Sequence, residues 1–233
     1  QTRNVIYRMS QRKIDLKCVP VSIKIIATKN ERLIAQIVRG TNKQNIVYDE
    51  AFEATKTYHK DLESFFPAVD NPIGLKFYYE RRSKQYGERR DIKQKQKFSL
   101  KNLLQGYVGI FLKAPEQAYH HQFWLLHEFK KTAFKNDDSP WKYYTVAFLE
   151  YEIREFFDKN NLLYKKYKPF LYHLLMVCYL QFSQNISMKE NKWEEYSKKI
   201  MDSVYKNKSI FARAIQIFEY TKMIWITSGK SID

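Results

Sequence analysis

Apolar residues in this chain fall mostly at helical spacing, and only two stretches read as strands. Thr2 caps a predicted helix over 3–15, with Val5, Ile6 and Met9 at its apolar positions. Residues 19–28 are rich in Val and Ile and read as a buried strand. Asn30 then caps a helix whose stripe is Leu33, Ile34, Ile37 and Val38, and Gly40 ends it. A polar loop, 41–45, follows. Asp49 caps a second helix that Pro67 should stop, and Asp70, Asn71, Pro72, Ile73 and Gly74 form a turn cluster. The second strand opens at Leu75. Ser99 starts a helix carrying Leu103, Leu104, Tyr107, Val108, Phe111 and Leu112, which ends before Pro115. Pro115 is read as the first-turn proline of a helix reaching about residue 134. The break at 136–140 precedes a helix with Val146, Leu149, Ile153, Phe156 and Phe157 on one face. Further helices are predicted over 170–183, 189–205 and 209–223.

This order predicts an α+β chain, with a mixed α/β segment over 1–98 and a mainly α-helical bundle over 99–233. The longest apolar run, 170–182, is too short to span a bilayer and contains His173 and Gln181, so no membrane partner is expected. Cys18 and Cys178 are the only cysteines in 233 residues. Two distant thiols make no disulfide framework, which suits a reducing, cytoplasmic setting.

Charge changes the picture. Lys and Arg outnumber Asp and Glu by 41 to 25, a net charge of +16, and a balance that basic attracts polyanions, nucleic acid first. The excess is densest over 75–97, LKFYYERRSKQYGERRDIKQKQK, where nine cations face three acids. A strand end that presents Arg81, Arg82, Lys84, Arg89 and Arg90 beside Tyr79 and Tyr86 suits phosphate binding and base stacking. The polar loop adds Arg39 and Lys43 as phosphate contacts. Asn42, Gln44 and Asn45 bring paired donors and acceptors for base edges. The alternative is internal pairing of Arg81 and Arg82 with Glu80, Asp61 or Glu63, in a chain that acts as an interaction scaffold.

Catalytic chemistry is not visible. Glu80-Arg81-Arg82 invites comparison with the acid-x-Lys half of a metal-dependent nuclease. Arg82 stands where the lysine belongs, though, and the upstream acid would have to be Asp61 or Asp70. Glu80 reads better as an ion-pair partner that positions Arg81 or Arg82. His120, His121 and His127 lack metal-ligand spacing, so no metal and no cofactor is expected. Six glycines, none in a phosphate-cradling pattern, exclude P-loop chemistry.

Several tracts together resemble the AIPR family, the abortive infection phage resistance proteins. They are Gln1-Thr2, the strand over 21–26, Arg39-Gly40-Thr41-Asn42-Lys43-Gln44-Asn45, Lys60-Asp61-Leu62-Glu63-Ser64-Phe65-Phe66, and above all the tract over 78–86, YYERRSKQY, with the helix beyond Ser99. The resemblance covers about 1–118. It implies a cytoplasmic anti-phage defence protein of bacteria, often encoded near restriction–modification genes, with another defence component as a candidate protein partner. Gln1-Thr2 resembles the tail of the family's Asn-Gly-x-Gln-Thr motif, next to a segment like that of ParB-type regulators. The chain is therefore expected to begin inside a ParB-like remnant, with any nuclease acids mostly upstream.

Overall fold

A computed structural model describes residues 27, 28, 30, 31, 33, 34, 53–120, 122–129, 131–159, 161–183 and 192–228. Contacts divide the chain into two compact units, 1–42 and 43–233. In the first unit, Asn30 Oδ1 accepts the Leu33 N–H at 3.2 Å, the expected cap of the helix from Glu31. Residues 27 and 28 of the expected 19–28 strand are described and are not in a strand; the rest of it, the ParB-like segment and the loop over 41–45 lie outside the described residues.

Among its described residues the second unit is helical around one small sheet. Its elements are α1 (Thr57–Ala68), β1 (Tyr78–Glu80), β2 (Lys97–Ser99), α2 (Leu100–Ile110), α3 (Gln122–Phe129), α4 (Pro140–Asp158), α5 (Asn161–Tyr167), α6 (Leu171–Ser183), α7 (Trp193–Lys206) and α8 (Ser209–Thr227). β1 and β2 pair in parallel, with Tyr78 opposite Lys97, Tyr79 opposite Phe98 and Glu80 opposite Ser99. A parallel pair needs a crossover, and the basic tract is that crossover.

Helices α2 and α4 form the centre. Ser99 caps α2 as expected: its Oγ accepts the Asn102 N–H at 3.2 Å, and Asn102 Oδ1 accepts the Ser99 N–H at 3.1 Å. Nearly every residue of α2 is buried. Pro140 opens α4, where the missing proline N–H costs no hydrogen bond, and most of α4 is buried on all sides rather than on one face. At Gly106 the two helices are so close that a Cβ there would stand 2.2 Å from Val146 Cγ1. Phe77, Tyr79 and Phe98 of the strand region share one apolar cluster with Tyr144, Phe148 and Tyr151 of α4. The turn before β1 is built by Asn71, whose Nδ2 donates to the Leu75 carbonyl at 2.6 Å and to Tyr144 Oη at 2.8 Å. Gly74 closes this turn at φ 72°, where a Cβ would strain the backbone.

Three expectations are corrected, and one helix is added. Pro67 lies inside the last turn of α1, one residue short of its end. The strand from Leu75 shrinks to three paired residues. No helix runs from Pro115: Gln105 Nε2 donates to the Ala118 carbonyl at 2.7 Å, and the chain turns extended at His120 after a short 3-10 segment, Gln117–Tyr119. Helix α5 was not anticipated, since seven residues carry too little periodicity to register.

Candidate nucleic-acid interface

The crossover over 81–96 is held from its first residue. Arg81 follows β1 and turns inward: Nε donates to Glu63 Oε2 at 2.7 Å and a terminal nitrogen donates to the Ala54 carbonyl at 2.5 Å. Its side chain is 14% exposed, and Glu63's is 25%. Gln85 donates to the other Glu63 oxygen and accepts the Arg82 N–H at 3.2 Å, so one carboxylate of α1 gathers two loop residues. Glu80 Oε1 accepts the Tyr86 N–H at 3.2 Å. From β2, Lys97 Nζ donates to the Tyr86 carbonyl at 2.8 Å. Gln96 Nε2 donates to the Lys76 carbonyl at 2.8 Å, and Ile92 is buried beneath the loop. Successive turns at Gln85, Gly87 and Arg89 complete the frame, with Lys84 at φ 58°, an uncommon conformation for a residue with a side chain. Lys95 fastens the far end of the loop to Glu155 (2.6 Å) and Asp158 of α4.

The remaining cations face outward. Arg82, Lys84, Arg89, Arg90 and Lys93 are all exposed. Arg89 pairs with Asp91, whose carboxyl it holds below the usual range, and lies 5.8 Å from the Tyr78 ring centre. Among the described residues, no carboxylate pairs with Arg82, Lys84, Arg90 or Lys93. Tyr86 is half-buried, edge-on to Tyr78, and burial raises its phenol pKa. The surface can therefore offer an anion several hydrated cations on a braced frame, with the Tyr78–Tyr86 pair alongside.

Two sequence-based site residues fall elsewhere. Tyr79 is fully buried, its hydroxyl 2.7 Å from His59 Nδ1, so its ring cannot stack on a base. Arg81 has its charge neutralised by Glu63. Glu80 binds a backbone N–H and positions neither arginine. Arg39, Asn42, Lys43, Gln44 and Asn45 lie outside the described residues. His120 packs its ring 4.3 Å from that of Trp124, and among the described residues no group of three acids, histidines or cysteines is arranged to hold a metal. Sequence reasoning missed Lys93 as an open cation and Lys97 as the loop's clamp. The one signal for Lys97 was its place in a short alternating run beside the buried Phe98.

The AIPR protein family model matches residues 1–229, well past the tracts that carried the resemblance. No curated protein and no solved structure matches the chain.

Proposed function

This chain belongs to the AIPR family, whose members serve abortive infection and anti-phage defence, and from that premise we propose that it engages nucleic acid through the outer face of the 81–96 crossover. Arg82, Lys84, Arg90 and Lys93 contact phosphates, and Arg89 joins them when Asp91 yields. The observation that carries this reading is the division of labour along one loop: Arg81, Gln85 and Lys97 fix its shape, while the open cations are left without carboxylate partners among the described residues. Phosphate contacts of this kind give affinity without sequence preference, and the affinity falls steeply with salt.

The test is a gel-shift titration of duplex DNA and single-stranded RNA at two salt concentrations, with Arg82→Glu/Arg90→Glu beside the wild-type chain. Losing two phosphate contacts should lower the logarithmic salt slope on DNA by about 2 and weaken binding. Equal affinity and slope in a folded double variant would remove the assignment. A second reading, an interaction scaffold in a defence complex, draws support from the inward Arg81–Glu63 pair, and equal affinity would favour it.

A further inference from the structure

Helix α8 leaves the body of its unit before it ends. Ile210, Phe211 and Ala214 are buried, and Phe218 packs 4.9 Å from Phe170. Beyond that point Met223, Ile224, Trp225 and Ile226 are 54, 48, 45 and 56% exposed, and Tyr220 is 61% exposed. Four consecutive helical residues point through about 300° of the helix circumference, so the exposure is not one face awaiting one groove. The end of α5 stands beside the middle of α8, and just beyond it Lys222 of α8 lies 5.9 Å from the Phe170 ring centre. The two elements are tied by Glu219, which accepts from Tyr167 Oη at 2.6 Å and pairs with Lys166 at 2.8 Å. Lys166, Lys168 and Lys222 lie around that junction, with Glu219 the acid among them.

We propose that the end of α8, with the lysines at its foot, is a docking site for the surface of an anionic lipid bilayer. The contact is peripheral, since among the described residues no helix is long and apolar enough to cross a membrane. The charge balance selects the occupant: three cations beside one acid at the foot of the tip are complementary to anionic headgroups. The geometry agrees with it. Four residues rise about 6 Å, within the 5–10 Å depth of shallow interfacial burial. Tyr220 and Trp225 are the side-chain types that settle at the headgroup level. At that depth the last carbonyls of α8 still meet headgroup water, which the hydrocarbon core would deny them. A protein groove covers one side of a helix, whereas a lipid interface closes around it.

Flotation of the full chain with vesicles of phosphatidylcholine, or of phosphatidylcholine mixed with phosphatidylserine, tests the proposal. The wild-type chain should float with the mixed vesicles and shift its tryptophan emission to the blue, and Trp225→Phe should abolish that shift. Ile224→Ser/Ile226→Ser should stop flotation with an unchanged circular dichroism spectrum, since both side chains are exposed. Lys168→Gln/Lys222→Gln should weaken binding to the mixed vesicles about thirtyfold, whereas Arg82→Glu/Arg90→Glu should leave the dependence on the tip intact. Absence of flotation, or flotation unchanged by the tip substitutions, overturns the proposal. So does a dimer in solution that the tip substitutions dissolve while vesicles go unbound, which would assign the tip to a second copy of the chain.

Discussion

Replacing Arg81 by Ala separates shape from contact in the basic loop. The guanidinium makes two charge-assisted hydrogen bonds, at 2.7 Å to Glu63 and 2.5 Å to the Ala54 carbonyl, from a side chain that is 14% exposed. Bonds to charged groups contribute about 1.5–3 kcal/mol each when sheltered, and exposed ion pairs about 0–1 kcal/mol. Glu63 keeps Gln85 as a partner after the truncation, so the cost falls short of a fully orphaned buried charge. The expected loss is about 2 kcal/mol. For a unit of this size that lowers Tm by about 4–8 °C. Urea titration followed by circular dichroism measures it, with Arg82→Ala as the control expected to stay within about 0.5 kcal/mol. Below both melting points, Arg81→Ala should retain most nucleic-acid affinity while Arg82→Glu/Arg90→Glu loses it. An Arg81→Ala chain that melts like the wild type yet no longer shifts DNA would refute the reasoning, because Arg81 would then be a contact and not a brace.

Two more outcomes follow from the packing. Gly106→Ala should cost about 1–3 kcal/mol, although alanine favours a helix by about 1 kcal/mol, because its Cβ meets the buried Val146. Val146→Ala in that background should recover part of the loss, and strict additivity in a denaturation cycle would contradict the close approach. Burial, opposed by Glu53, holds the His59 pKa below its ordinary 6.5. The unfolded chain then takes the proton first, so this contribution is present above about pH 6.5 and is lost as pH falls through the window below it. His59→Gln should flatten the fall in stability between pH 7 and 5, and identical pH profiles would show that His59 does not set it.

Legibility varied with how local the determining physics was. Ser99, Pro140 and Asn30 mark helix starts because a cap is decided within three or four residues, and each was readable. The turn at Asn71 and Gly74 was readable for the same reason. The end of the helical signal after Pro115 was not, because Gln105, thirteen residues away from Ala118, decides it. Within the site, the density of charge over 75–97 located the loop but could not sort it. Arg81 and Arg82 are adjacent and chemically identical, and only the partner eighteen residues upstream makes one a brace and leaves the other open. Tyr78 and Tyr79 were equally indistinguishable until the pleat put one beside Tyr86 and the other in the core.

The parallel pairing of β1 and β2 carries a consequence for how such a surface can diverge. Both strands run the same way, so the chain must travel back one strand's length between them, and residues 81–96 can be cut only to the dozen or so that a parallel crossover needs before the pair unzips. Topology thus sets a least span for the crossover but says nothing of its outward side chains. Substitutions at 82, 84, 90 and 93 can rewrite what the surface attracts while the fold beneath stays as it is. A defence protein pressed by changing invaders would have, in that arc, ground on which to change without unfolding.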